Sequence, residues 1–349
     1  MIKYLQEILN SVDSQVKDLP IYINNKDILI TGSTGFIGGY IAGYLCWLKE
    51  KYALNLKLTL IIRNRKKLNN SFLENFTSSD CLKIINYDLM SFKDLRIIDE
   101  LKNSFDLIIH AASPSSANAY SNNKEGTIFI NSTIIHALFN LLKNKKSSEF
   151  LFFSTSGIYG KHPDYCYPLK ETTDTNLDHL EDKNIYLNSK LMGESILNTL
   201  GNLFGKRILI LRPSINYGPY INLKDGRALS DFITDALTNK LIKIKSDGKN
   251  HRNYCYISDT LTGIFIALVR GHKHKIFNLA HDKNTSIYEL AQIISKYTNS
   301  QIKVQNQKDV HLGIDFSKTS ICSKRLKLLG WKTNVDLEDG LKKTIQHFE

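Results

Sequence analysis

The stretch Thr31-Gly32-Ser33-Thr34-Gly35-Phe36-Ile37-Gly38 constrains this chain more than any other. It comes after a short apolar run, Asp27-Ile28-Leu29-Ile30-Thr31, and opens an apolar segment reaching to about Lys49. Glycines at this spacing let the backbone turn tightly and approach a pyrophosphate. The helix that begins there adds free N–H groups and the positive end of its dipole. A turn serving structure alone has no need of three glycines so placed. The stretch is therefore read as strand, phosphate-binding turn and helix, the opening of a dinucleotide-binding α/β domain.

The downstream chain alternates in the same way. Residues 56–62, 82–86, 107–112, 150–154 and 207–211 form short apolar runs of strand length, and 128–143 and 186–200 carry helical spacing. Apolar strands alternating with helices predict a doubly wound parallel sheet covered on both faces, a Rossmann-type α/β fold. Beyond Pro213 helical pieces at 228–239, 260–269, 286–297 and 336–347 mix with short strands and polar turns. They predict a smaller C-terminal α/β domain over the carboxyl edge of the sheet, where such folds bind ligands. The expected division is a helical extension over 1–21, a dinucleotide-binding domain over 22–212, and a substrate domain over 213–349 with some segments returning to the sheet. In the extension, Leu5, Ile8, Leu9, Val12 and Val16 fall at 3/4 spacing and predict one amphipathic helix ending before Pro20. Its apolar stripe packs on the main domain or on a partner chain.

Composition narrows the partners. The 349 residues carry 46 Lys and Arg against 34 Asp and Glu, a net charge of 46 − 34 = +12, which suits an acidic partner. The lysines are scattered in short runs, such as Lys66-Lys67 and Lys342-Lys343, with no basic stripe interleaved with aromatics. A phosphorylated small molecule fits better than nucleic acid. Cys46, Cys81, Cys166, Cys255 and Cys322 are widely spaced, with no CxxC and no histidine at zinc spacing, so no metal site is expected and the thiols read as reduced, cytoplasmic ones. No apolar run approaches the roughly 20 residues of a membrane span.

Two further motifs bear on chemistry. Strand two ends in Ile62-Arg63-Asn64-Arg65, with no acid for a ribose 2′-hydroxyl. An arginine there can meet a 2′-phosphate, which tilts a choice between NAD and NADP toward NADP. Tyr186-Leu187-Asn188-Ser189-Lys190 places a phenol and an ammonium one helical turn apart. The ammonium is expected to lower the phenol pKa, as a general base requires.

With Phe153-Ser154-Thr155-Ser156-Gly157-Ile158-Tyr159-Gly160 before that pair, the chain resembles the extended short-chain dehydrogenase/reductases, in their nucleotide-sugar epimerase/dehydratase/decarboxylase branch. The resemblance covers roughly residues 26–348. Besides the glycine turn it rests on Tyr87-Asp88-Leu89, His110-Ala111-Ala112-Ser113, Asn131 and Leu211-Arg212-Pro213-Ser214-Ile215-Asn216-Tyr217-Gly218-Pro219. Asp247-Gly248 with Arg252, Tyr256-Ile257-Ser258-Asp259, Phe277-Asn278-Leu279 and Leu329-Gly330-Trp331 complete it. It implies an enzyme with tightly held NAD or NADP that acts on a nucleotide-diphosphate sugar, commonly as a homodimer.

The implied cofactor residues are Gly32, Thr34, Gly35, Phe36, Ile37, Gly38, Arg63, Asp88, Leu89, Ala111, Ala112, Asn131 and Pro213, with Tyr186 and Lys190. Asp88 would bond the adenine. The implied catalytic residues are Thr155 on the sugar hydroxyl, Tyr186 as base and Lys190 beside it. Ser113, Thr155, Asn216, Arg227 and Arg252 are the implied substrate residues, although Arg227 also reads as half of a surface ion pair. Dehydratases and decarboxylases of the branch usually place an acid two residues before the strand-end Tyr-Gly, where this chain has Gly157. That favours epimerisation or plain oxidation and reduction at sugar C4. Lys224-Asp225-Gly226-Arg227 and Lys245-Ser246-Asp247-Gly248 instead resemble a UDP-glucuronate decarboxylase-like subgroup, so decarboxylation and 4,6-dehydration stay as alternatives. A non-catalytic cofactor-binding regulator is the rival of another class. For the homodimer, Ile134, Ile135, Leu138, Leu141 and Leu142 offer more apolar positions than one stripe against a sheet requires.

Overall fold

The computed structural model describes residues 3–90, 101, 105–306 and 318–349. Seven parallel strands form the central sheet: β1 (Asp27–Thr31), β2 (Lys57–Ile62), β3 (Leu82–Asn86), β4 (Leu107–His110), β5 (Glu149–Phe153), β6 (Arg207–Pro213) and β10 (Ile276–Leu279). Their order is β10-β6-β5-β4-β1-β2-β3, and every neighbouring pair is parallel. The inner strands are buried on both faces, which is why they read as unbroken apolar runs. The chain reverses its direction of growth between β1 and β4, so a crevice opens at their carboxyl ends.

Among the described helices, α1 (Lys3–Gln15), α2 (Leu19–Ile23) and α3 (Phe36–Tyr52) come first, then α4 (Ala117–Asn122), α5 (Lys124–Asn131), α6 (Thr133–Asn140) and α7 (Ile185–Phe204). Two departures from the sequence reading have local causes. The N-terminal segment is two helices, because Pro20 starts the second instead of ending the first: its fixed φ and missing N–H suit a first turn. Leu5, Ile8, Leu9, Val12, Val16, Leu19 and Ile23 are all buried within this chain. The helix expected over 128–143 breaks at Ser132, whose φ of −133° and ψ of −72° leave the helical region and whose Oγ donates to the Ile128 carbonyl at 2.6 Å. Ile134, Ile135, Leu138 and Leu142, offered by the sequence for a dimer contact, are covered by the chain's own core.

The remaining strands build a layer over the sheet edge. β9 (His251–Tyr256) pairs with β7 (Ile215–Tyr217), β11 (Asn284–Ser286) and β13 (Lys318–Thr319), while β8 (Leu241–Ile244) pairs with β12 (Gln301–Val304). Four longer segments flank them: α8 (Ala228–Asn239), α9 (Ile257–Arg270), α10 (Ile287–Thr298) and α12 (Leu337–Gln346), with the short α11 (Lys324–Leu328) before the last. α9 packs on α1, and the Arg270 guanidinium clamps Asp18 through two bonds of 2.7 and 2.8 Å. No described helix is long and apolar enough to cross a membrane.

Candidate active site

A cavity of 360 Å³ lies at the carboxyl ends of β1, β4, β5 and β6. Its floor is the glycine turn. Gly32 has φ +75°, and a Cβ there would stand 2.5 Å from the Ala112 nitrogen, so the residue must be glycine for two loops to touch. Gly35 caps α3 without a side-chain bond, and no acid lies in the first turn. The N–H groups of that turn, beside Phe36, Ile37 and Gly38 on the cavity wall, therefore remain available to an anion.

The turn is braced from behind. Buried His110 accepts from the Thr31 hydroxyl at Nδ1 (2.8 Å) and donates from Nε2 to the Ile130 carbonyl (2.8 Å), an assignment that follows from its being neutral. Burial first, then the Lys190 charge, holds its pKa down at about 3. The Ser154 and Ser214 hydroxyls are buried without protein partners among the described residues and both residues line the cavity, so the wall keeps polar capacity for a ligand.

The opposite wall comes from α7. Tyr186 is its second residue and Lys190 lies one turn on, both lining the cavity with Thr155. Thr155 lies two residues beyond β5 and caps the adjoining turn by accepting from the Gly157 N–H at 3.2 Å. The Lys190 amine donates to the Phe153 carbonyl at 2.6 Å and sits 5.9 Å from the Tyr186 ring centre.

The electrostatics differ from the sequence expectation. Burial pushes the Tyr186 phenol up to about 12, against the charge of Arg227 and a hydrogen bond with Thr155. The cation acting on the phenol is thus Arg227. Lys190 is itself drawn down to about 7 by burial, opposed by the Glu194 carboxylate one turn further along. For each group burial outweighs the neighbouring charges that favour its ionised form.

The structure sorts the remaining residues named from sequence. Gly32, Gly35, Phe36, Ile37, Gly38, Ala111, Ser113, Pro213, Asn216 and Arg227 line the cavity. Asn216 spends its amide on the Ser214 carbonyl and the Thr260 hydroxyl. Arg227 precedes α8, pairs with Asp225 at 3.5 Å and donates to the Ser115 carbonyl at 2.7 Å, and it also lines the cavity. Thr34, Arg63, Asp88, Leu89, Ala112, Asn131 and Arg252 are not on its wall. Arg63 is exposed, its guanidinium 3.6 Å from the Met90 sulfur, and Asp88 accepts from the Met90 N–H at 3.0 Å. Asn131 is buried and donates to Ser189 at 3.1 Å, joining α5 to the helix that carries the Tyr–Lys pair. Arg252 lies on β9 and donates to the neighbouring His251 carbonyl.

Sequence reasoning missed Tyr120. Its ring stacks on that of Tyr186 with centroids 5.1 Å apart and planes 9° from parallel. No local pattern marks a tyrosine in a six-residue helix as the neighbour of one 66 residues on. Ser115, Ser154, Ser156 and Ser214 also line the cavity; three of them stand inside the strand-end motifs, where a hydroxyl on a loop is the available signal.

A glycine-floored cavity at the carboxyl edge of a doubly wound sheet, walled by a hydroxyl, a phenol and an amine, defines a dinucleotide-dependent enzyme of the α/β class. More particularly, the chain belongs to the NAD dependent epimerase/dehydratase family, whose model matches residues 28–280. It is 25% identical over 361 residues to UDP-glucuronic acid decarboxylase 1 of Xenopus tropicalis, covering 100% of this chain and 81% of that protein. To UDP-glucuronic acid decarboxylase 3 of Arabidopsis thaliana it is 27% identical over 319 residues, 91% and 87% of the two chains. Similar solved folds include an epimerase of Methanothermobacter thermautotrophicus (TM-score 0.79, 20% identity, 96% of each chain). Another is the UDP-N-acetylglucosamine 4-epimerase of Methanobrevibacter ruminantium (TM-score 0.77, 22% identity, 93% and 98% of the chains).

Proposed function

We infer that this enzyme moves hydride between C4 of a nucleotide-activated sugar and a nicotinamide cofactor, either returning it to give epimerisation or leaving a net C4 oxidation or reduction. The observation that carries the reading is the chemistry of the wall: among the described residues its ionisable side chains are Tyr186, Lys190 and Arg227, and none is a carboxylate. A nicotinamide cofactor supplies hydride exchange when bound. Tyr186 takes the proton from the 4-hydroxyl, Thr155 orients that oxygen, Arg227 provides positive charge for the phenolate, and Lys190 offers a further N–H donor at the cavity wall. Dehydration across C5 and C6 needs further acid and base groups. Gly157 stands where related enzymes carry an acid, and even a Cβ there would come within 2.8 Å of a Leu187 methyl.

Decarboxylation is the second reading. The curated relatives include UDP-glucuronic acid decarboxylases, and a β-keto acid can lose carbon dioxide once C4 is oxidised. Mass spectrometry of a panel of UDP-, GDP-, CDP- and dTDP-sugars after incubation with the enzyme separates the outcomes. Unchanged mass with altered NMR supports epimerisation, loss of carbon dioxide supports the second reading, and loss of water refutes both. Tyr186→Phe is expected to lower turnover by about 10²-fold or more, since a positioned proton acceptor contributes about that much. Undiminished turnover would refute the assignment of the base.

For the cofactor, exposed Arg63 just beyond β2 offers charge to a 2′-phosphate. Tighter binding of NADPH than NADH, lost in Arg63→Ala, supports that role, and equal binding sinks it. For assembly, we propose a homodimer through α5 and α7, which approach so closely that a Cβ on Gly193 would lie 2.4 Å from the Asn131 carbonyl. Beside that close approach, Ile128 on α5 and Met192 on α7 are 43% and 55% exposed.

A further inference from the structure

The five cysteines lie far apart in sequence, yet the fold brings two together well away from the cavity. Cys46 lies on α3, fully buried, and Cys81 immediately precedes β3 with 6% of its surface exposed. Their sulfurs are 3.6 Å apart, and the Ser79 hydroxyl is 3.3 Å from the Cys81 sulfur. Next to Cys81, the Asp80 side chain is largely exposed and holds the Lys49 ammonium at 2.5 Å, so this thiol lies one residue from the surface. Neither cysteine lines the cavity.

We propose that Cys46 and Cys81 form a peroxide-oxidisable dithiol, Cys81 reacting first and Cys46 resolving it into a disulfide that ties α3 to the edge strand of the sheet. The two thiols are not equivalent. Its contacts with Cys46 and Ser79, together with the Lys49 charge, draw the Cys81 thiol down against its burial and the Asp80 charge. Cys46, in contact with Cys81 and the more deeply buried of the two, is pushed up. The thiolate is the nucleophile, and a cysteine in this setting is the kind that oxidants select.

The chemistry closes on hydrogen peroxide as the oxidant. The Cys81 thiolate forms an S–O bond as the O–O bond breaks, and hydroxide leaves, giving a sulfenic acid. Cys46 then attacks that sulfur: an S–S bond forms, the S–O bond breaks, and the departing hydroxide takes the Cys46 proton. In sum, two thiols and one peroxide give one disulfide and two waters. With the sulfurs 3.6 Å apart, the resolving thiol is already in contact and needs no approach from elsewhere in the fold. The bridge would enclose the segment that carries β2 and so restrict the unfolded chain.

The test is treatment of the intact protein with one equivalent of hydrogen peroxide, alkylation of remaining thiols and peptide mapping by mass spectrometry. The expected result is a protein lighter by two hydrogens, a linked pair of peptides holding Cys46 and Cys81, and alkylated Cys166 and Cys322, with the link lost on reduction by dithiothreitol. In Cys46→Ser, dimedone is expected to trap a sulfenic acid on Cys81; Cys46→Ala serves if the serine variant does not fold. Oxidation confined to Cys166 or Cys322, a link between any other pair, or dimedone labelling elsewhere would overturn the proposal.

Discussion

Tyr186 sits between an aromatic and a cationic neighbour that act on it differently. Tyr120 lies flat against its ring, and Arg227 is the charge that pulls its pKa back from the value burial imposes. A stacked ring fixes the direction of the phenol, and small displacements of a reacting group cost large factors in rate. Tyr120→Ala is expected to lower kcat by about 10-fold or more, whereas Tyr120→Phe, which keeps the stack, should stay within a few-fold. Steady-state kinetics of the two variants checks this, and equal loss in both would assign the effect to the hydroxyl instead. Lys190 gives a pH prediction. Its amine titrates at about 7 in the fold and at its ordinary 10.5 when unfolded. Between those values the unfolded chain holds the extra proton, so stability rises with pH across that window. Below about pH 7 both states are protonated and the full cost of burying the ammonium is present. Lys190→Met should therefore be more stable than the native protein near pH 7, on the order of a few kcal/mol, with the gap narrowing toward pH 10. Urea unfolding of both proteins at pH 7 and 9.5 measures it; a gap that widens with pH would contradict the assignment.

At the level of elements, the helix carrying Tyr186 and Lys190 is held to the sheet by a buried ion pair. Arg212 on β6 grips Glu194 on α7 through bonds of 3.0 and 2.6 Å, and its other nitrogen donates to the Tyr159 hydroxyl at 3.0 Å. That hydroxyl passes its hydrogen to Asn278 on β10 at 2.7 Å, so one network spans α7, β6 and β10. Removing one partner leaves an uncompensated charge in the interior. Glu194→Ala is expected to cost about 3–5 kcal/mol, while the double variant Glu194→Met/Arg212→Met should recover most of that loss. Denaturant melts of the single and double variants decide between this and a pair of no consequence. The element pattern itself was largely legible: β1, β3 and α8 have the expected bounds, because short apolar runs and helical spacing are local signals. The break at Ser132 was not, since a serine that turns its hydroxyl on the preceding carbonyl looks like any other polar residue in a helix.

For the whole molecule, the proposed dimer rests on different residues from those the sequence offered. The apolar surplus on α6 faces inward; Ile128 on α5 and Met192 on α7 are exposed, as are Leu203 and Phe204 at the far end of α7. Light scattering at micromolar concentration is expected to show a dimer, and Ile128→Asp with Met192→Asp to give a monomer with intact secondary structure. A native protein that runs as a monomer would refute this. The N-terminal pair of helices belongs to the chain's own core, where Leu9 is fully buried. From its residues alone the chain determines a parallel doubly wound sheet, a glycine turn built for a dinucleotide and a Tyr–Lys pair one helical turn apart. These are consequences of spacing along a few neighbouring residues, which periodicity and backbone sterics fix before anything packs. The tertiary structure decides what those groups feel. It sets Tyr120 and Arg227 against Tyr186, leaves Arg252 and Asn131 off the cavity wall, and brings Cys46 to Cys81, because burial and contact between distant segments depend on how the layers meet and leave no mark in local sequence.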